Sequence, residues 1–172
     1  LIEQLSVEGD RAIVTLDLAP LAPALAGKVQ REVIGSIMDR PALDRILAEF
    51  EVDVVYHLAA LLSTRSEFSP LTAHEVNVGG TLNLLEFAQQ QSSTHGRPVI
   101  FMYPSSIAVY GLTRETKLGA GKVREDQFTE STTMYGCNKL YCEHLGRYFD
   151  RHYRQLAAER TPSGVDFPAI RF

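Results

Sequence analysis

At 172 residues, 45% of them hydrophobic and 22% charged, the chain has room for about one folded domain with a core of useful size. A net charge of -4 with no basic run argues against a surface for nucleic acid or anionic membrane, since either needs a cationic patch to neutralise phosphates. Two cysteines, Cys137 and Cys142, suit neither a disulfide framework nor a zinc site and point to a reducing, cytoplasmic setting. The longest apolar stretches are too short to cross a bilayer, and Glu3, Glu8 and Asp10 stand where a signal peptide would be basic and then apolar, so neither membrane insertion nor export is expected.

The elements follow in chain order. Residues 1–5 read as the tail of an amphipathic helix, and residues 12–18, AIVTLDL, as a strand ending at Asp17. The Ala/Pro/Leu segment 18–27 is a loop. A short strand is expected over 33–37, a helix over 41–50 with Pro41 at its start, and an apolar strand over 53–58. Leu71, Val76, Leu82, Leu85 and Ala88 recur at roughly helical spacing, which predicts a helix over 70–91 that SSTHGRP then breaks. Residues 99–104 form a buried-type strand, 134–160 a long helix and 166–172 a final strand. The polar stretch 111–133 is longer than ordinary connections of about 4–6 residues, and such outliers are either lids or plain surface excursions. Alternating strands and helices predict an α/β fold: a doubly wound, mostly parallel, Rossmann-like sheet covered by helices on both faces.

The sharpest chemical signal is Tyr135-Gly136-Cys137-Asn138-Lys139, in which phenol and amine lie four apart and project from one helix face. A phenol has a pKa of about 10, so its use as a base near neutrality needs a shift of about 3 units, which a neighbouring ammonium helps to supply. A Tyr-x-x-x-Lys spacing alone is common on helix surfaces. Here it is joined by PSSIAVYG at 104–111, which sets two hydroxyls, Ser105 and Ser106, at the carboxyl end of a buried strand, where open α/β sheets bind ligands. The five histidines show no metal-ligand spacing, and no metal is expected.

With Asp17 after its strand, GSIMD ending at Asp39, YHLAA at 56–60, NVGGTLNLLEFA at 77–88, PSSIAVYG and YGCNKLYCE, the chain resembles the extended short-chain dehydrogenase/reductases. That is the NAD-dependent epimerase/dehydratase family, which includes a short-chain threonine dehydrogenase. The resemblance covers nearly the whole chain. It implies that Tyr135 exchanges a proton with a substrate hydroxyl while hydride moves to or from a nicotinamide. It also implies that Ser106 holds the reacting oxygen and that Lys139 grips the nicotinamide ribose and lowers the Tyr135 pKa. Asp17 would accept hydrogen bonds from the adenosine ribose and repel a 2'-phosphate, favouring NAD over NADP. Asp39 would meet the adenine amine, with a helix N-cap before Pro41 as its rival reading. Leu58, Ala59 and Ala60 would lie beside the cofactor, Asn77 near the nicotinamide ribose unless it is a buried structural amide, and Ser105 at the cofactor side. Glu143, four past Lys139, reads as a brace for the helix. The substrate would be a small molecule, a nucleotide sugar or a hydroxy amino acid, and the long helices would pair into a homodimer.

Some features depart from that family. The glycine-rich phosphate loop is absent, and the sequence stops where the family continues towards a substrate domain. Residues 1–172 are therefore expected to be an NAD-binding domain incomplete at both ends, lacking the first strand, which in the order 3-2-1-4-5-6 lies between the strands ending near Asp17 and Leu58. Ser131 stands where relatives usually have Pro, and Asn138 replaces a common Ser; both are expected to loosen the loop without removing chemistry. HLAALLS followed by Glu67, together with PSSIAVYG, looks somewhat closer to the threonine dehydrogenase branch, and the family-wide epimerase reading stands beside it. A non-catalytic NAD-binding sensor or scaffold is the reading from another class, and retention of Ser106, Tyr135 and Lys139 together argues against it.

Overall fold

The computed structural model describes residues 1–7, 11–156 and 164–172. Helix α1 (Ile2–Val7) leads to β1 (Val14–Asp17), the short α2 (Pro23–Ala26), β2 (Arg31–Ile34), α3 (Arg40–Glu49) and β3 (Val54–Tyr56). Then come α4 (Ser63–Phe68), α5 (Pro70–His74), a π-helical turn (Glu75–Gly79) and α6 (Gly80–His95). β4 (Val99–Ser105) is followed by a 3-10 turn (Ile107–Val109), α7 (Arg114–Gly119), α8 (Met134–Arg151), β5 (Val165–Asp166) and β6 (Ala169–Arg171).

Every strand pair is parallel. β1 pairs with β2 in one ladder; β4 pairs with β3 on one side and with β5 and β6 on the other. No ladder joins β1 to β3 among the described residues, in keeping with the doubly wound order, where these two strands are not neighbours. Burial alternates along β4: Val99, Phe101 and Tyr103 are buried, while Ile100 keeps 39% exposure on the other face. Period-2 geometry causes this, since successive side chains point to opposite faces. The covered face meets Leu84, Leu85 and Ala88 of α6, Cys142 and Phe149 of α8, and Phe167. Phe167 stacks on Phe101 at 5.6 Å and on Tyr103 at 5.5 Å. The expected cover on both faces is thus complete on only one face of β4 among the described residues.

The helices differ from expectation where local chemistry intervenes. The single helix expected over 70–91 is α5, the π turn and α6, ending at His95 because Gly96 adopts φ 73° and closes the helix as a left-handed C-cap. α4 was not anticipated; STRSEF carries no apolar periodicity. α7 sits inside the polar excursion, capped by Thr113, whose hydroxyl accepts from the Thr116 N–H at 3.2 Å. α8 stops at Arg151, short of 160. His152 leaves helical geometry, Arg154 takes φ 50°, and Tyr153 folds back to stack on Phe149 at 4.8 Å. The last part of the expected helix, 157–160, lies outside the described residues.

Candidate active site

The carboxyl ends of β1, β3 and β4 carry Asp17, the segment of Leu58, Ala59 and Ala60, and Ser105 with Ser106, while Tyr135 and Lys139 stand on α8, Asn77 in the π turn and Asp39 at the start of α3. At β4, the strand ends in buried Ser105, and Ser106 caps the 3-10 turn, its Oγ accepting from the Ala108 N–H at 3.2 Å. The first turn of α8 packs against this turn. Thr133 caps α8, its Oγ1 accepting from the Gly136 N–H at 3.0 Å, and the Glu67 carboxylate accepts from the Met134 N–H at 2.7 Å. A methyl group at Gly136 would lie 2.0 Å from the Ala108 carbonyl oxygen and 2.1 Å from Ser131 Oγ, so only glycine admits this approach. Ser131 Oγ donates to that same carbonyl at 2.8 Å. The expected loosening at Ser131 is therefore not seen: the serine ties the lead-in of α8 to the turn that carries Ser106.

Tyr135 and Lys139 come together as their spacing requires. Lys139 is 5% exposed, and its ammonium donates to the Pro104 carbonyl at 2.6 Å and lies 4.5 Å from the Tyr103 ring centroid and 5.6 Å from that of Tyr135. Burial lowers the Lys139 pKa, an effect that Cys142 partly opposes. Burial raises the Tyr135 pKa. In the protein without cofactor, Tyr135 therefore rests as a neutral phenol.

Ser105 turns away from the open edge and donates to Glu143 Oε1 at 2.6 Å. Glu143, in the middle of α8, is 1% exposed and also receives Arg171 Nε at 2.7 Å, Arg171 Nη2 at 2.6 Å and Arg147 Nη2 at 3.2 Å. Burial pushes its pKa up, but the hydrogen bonds from Arg171 and Ser105 outweigh burial and hold the carboxyl below its ordinary range. Arg171 further donates to the Glu125 carbonyl at 2.8 Å and lies over the Tyr110 ring at 4.8 Å.

At β3, YHLAA ends in exposed Leu58 and Ala59 and half-buried Ala60. Asn77, in the π turn, is buried and spends both ends of its amide on Leu61: Oδ1 accepts from the Leu61 N–H at 2.7 Å and Nδ2 donates to the Leu61 carbonyl at 3.0 Å. The structural-amide reading of Asn77 describes these contacts. The Asn77 carbonyl in turn accepts from Thr81 Oγ1 at 2.5 Å and Cys142 Sγ at 3.4 Å. π turns of this kind recur at functional sites. Asn138 is buried, with Oδ1 3.2 Å from His74 Nδ1.

At the β1 end, Asp17 is exposed and accepts from the Ala19 N–H at 3.2 Å, leaving most of its carboxylate open. Asp39 Oδ1 accepts from the Ala42 N–H at 3.2 Å and so caps α3 as its rival reading required. Among the described residues, no group of three or more His, Cys, Asp or Glu is placed to hold a metal ion, and no helix is long and apolar enough to cross a membrane.

Sequence reasoning missed Ser131, Gly136 and Arg171. The close approach of Gly136 and the partners of Arg171 depend on residues distant in the chain, and no local signal announces them. Ser131 carried one, its departure from the usual Pro.

Comparison with known proteins agrees with this architecture. Residues 22–162 match the family model described as GDP-mannose 4,6 dehydratase. An uncharacterized epimerase/dehydratase of Staphylococcus aureus (strain USA300) is 33% identical over 138 residues, which are 79% of this chain and 36% of that protein. Among solved structures, the GalE-like L-threonine dehydrogenase from Cupriavidus necator in its holo form superposes with a TM-score of 0.75 at 27% identity, covering 99% of this chain and 49% of that one. The UDP-glucose 4-epimerase from Brucella ovis in complex with NAD gives 0.72 at 25% identity, covering 99% and 46%. The chain belongs to the epimerase/dehydratase family of extended short-chain dehydrogenases/reductases. It spans 36% of the length of the curated relatives it matches and 48% of a partial consensus L-threonine 3-dehydrogenase that superposes with a TM-score of 0.76 at 26% identity over 99% of this chain.

Proposed function

We propose that this polypeptide takes part in NAD-dependent oxidoreduction or epimerisation at a substrate hydroxyl or carbonyl carbon, with Tyr135 as acid/base. The observation that carries this reading is the packing of the Tyr135–Lys139 turn of α8 against the Ser106 turn at the carboxyl end of β4. The residues present fit NAD. Asp17 offers an exposed carboxylate for a ribose diol, and the β3 end presents small and apolar surface at Leu58, Ala59 and Ala60, with Leu58 63% exposed. Asp39, Asn77 and Ser105 act on the cofactor from behind. Asp39 caps α3, Asn77 holds the loop after β3, and Ser105 anchors the strand end. When bound, NAD would supply the hydride acceptor or donor and, oxidised, a positive charge in the site.

Tyr135 Oη holds the proton exchanged with the substrate oxygen. As a neutral phenol it donates when a carbonyl is reduced, and as a phenolate beside the Lys139 ammonium it accepts when an alcohol is oxidised. Ser106 orients the reacting oxygen through its hydroxyl hydrogen, since its own acceptor side meets the Ala108 N–H. Lys139 is held by the Pro104 carbonyl and keeps a positive charge against the Tyr135 ring.

The substrate is a nucleotide sugar or, in a second reading favoured by HLAALLS, Glu67 and the superposition on threonine dehydrogenases, L-threonine. The protein acts in the cytoplasm as a homodimer. Exposed Phe68 of α4, Leu71 of α5, and Tyr141 and Tyr148 of α8, the helix that both pack against, supply apolar surface for that pairing.

The test is turnover of L-threonine with NAD, read as NADH absorbance, and of UDP-glucose, read as epimer formation without net NADH. Tyr135→Phe abolishes turnover and leaves the NAD dissociation constant within about threefold. Unchanged turnover in Tyr135→Phe refutes the acid/base role, and NAD binding with no turnover of any tested alcohol favours a sensor or scaffold.

A further inference from the structure

We infer that Glu143 is a positioning residue for the proposed reaction, acting through Ser105 on Ser106 and through Arg171 on the excursion that leads from Gly111 back to α8. The inference rests on the function proposed above, and it concerns a carboxylate that never meets substrate. A buried carboxylate is retained only where its charge is met, and here it is met from three directions. Arg171, at the end of β6, forms a two-point guanidinium contact with it, Arg147 approaches from one turn further along α8, and the Ser105 hydroxyl donates from the last residue of β4. Each partner extends the tie. Ser105 adjoins Ser106 in the chain. Arg171 reaches the Glu125 carbonyl inside the excursion and covers the Tyr110 ring at its root.

The neck of the excursion closes at the same place. The Gly111 N–H donates to the Phe128 carbonyl at 2.7 Å, and a methyl group at Gly111 would lie 1.9 Å from the Glu130 carbonyl oxygen. One anionic side chain on the helix that carries Tyr135 and Lys139 is therefore bonded to the strand end that carries Ser106 and, through one guanidinium, to the segment that leads into Tyr135. A shift of about 1 Å between acid/base and hydroxyl costs about a hundredfold in rate. A brace that bonds the helix carrying Tyr135 to the residue before Ser106 acts on that distance.

Ser105→Ala removes the tie to Ser106 alone, and Glu143→Gln keeps shape while leaving Arg171 and Arg147 without their anion. In the polypeptide that turns over substrate, we expect Ser105→Ala to lower kcat about tenfold with KM and NAD dissociation constant within about twofold. Without cofactor, amide hydrogen exchange in the peptide spanning 106–111 should rise about tenfold while that of α3 stays unchanged. Glu143→Gln should add faster exchange across 120–130. Unchanged kcat and unchanged exchange in Ser105→Ala overturn the inference. So does a raised NAD dissociation constant with kcat preserved, which would make Ser105 a cofactor contact. If the wild-type protein neither binds NAD nor turns over substrate, the proposed function falls and this inference with it; a normal wild type with an indifferent Ser105→Ala sinks the inference alone.

Discussion

Asn77 holds Leu61 by both ends of one side-chain amide, across 16 positions of sequence. The contact fixes the loop that carries Leu58, Ala59 and Ala60 against the π turn before α6. Asn77→Ala leaves the Leu61 N–H unpaired in a partly buried place, while the Leu61 carbonyl keeps the Ser66 hydroxyl at 2.9 Å, a loss of about 1–3 kcal/mol for the orphaned donor. Urea unfolding should show a lower midpoint with an unchanged slope. Asn77→Asp should lose at least as much at neutral pH, because its buried carboxylate would face the Leu61 carbonyl oxygen that Nδ2 now meets at 3.0 Å. Equal stability of the three proteins would mean that the amide is dispensable.

Gly136→Ala places a methyl group within 2.0 Å of the Ala108 carbonyl oxygen, which is backbone and cannot swing aside as a side chain tip would. Strain of this kind costs about 1–3 kcal/mol. The first turn of α8 must back away from the Ser106 turn, so turnover should fall by about a hundredfold or more while far-UV circular dichroism stays near wild type. Full activity in Gly136→Ala would show that the two turns need not touch.

His57 gives the protein an acid limit. Its Nε2 lies 2.8 Å from Thr81 Oγ1, and the Thr81 hydroxyl donates to Asn77, so the hydroxyl accepts from a neutral imidazole protonated on Nε2. Nδ1 is left buried with no partner among the described residues. Burial, then the Lys139 charge, lowers the pKa from 6.5 to about 3. Between those values the unfolded chain binds a proton that the folded protein refuses. The contribution is thus fully present above pH 6.5, and each unit of acidification below it removes about 1.4 kcal/mol until pH nears 3. Melting temperature should fall steadily from pH 6.5 to 4. His57→Gln, which keeps a donor for Thr81, should flatten that fall, and parallel curves for the two proteins would show that His57 is not the titrating group.

Much of the site was legible in the amino acids because its chemistry is local. Tyr135 and Lys139 meet through helix periodicity alone, Asp39 caps α3 three residues before Ala42, and PSSIAVYG places its serines at a strand end by the length of the strand. The alternation of strands and helices likewise required parallel pairing, because neighbours of that sense need a crossover.

Other features rest on partners that meet only after the chain has folded. Glu143 depends on Ser105 and Arg171, 38 and 28 residues away, and nothing in YGCNKLYCE says whether that carboxylate faces water or a guanidinium. Spacing likewise puts an ammonium near Tyr135, but it does not say that the ammonium donates to the Pro104 carbonyl or that burial raises the Tyr135 pKa in the protein without cofactor. Periodicity and capping act within a turn or two of backbone, whereas desolvation and buried charge belong to the packed whole, so the sequence by itself determined the parallel sheet and the pairing of Tyr135 with Lys139, and tertiary structure decided what surrounds and holds them.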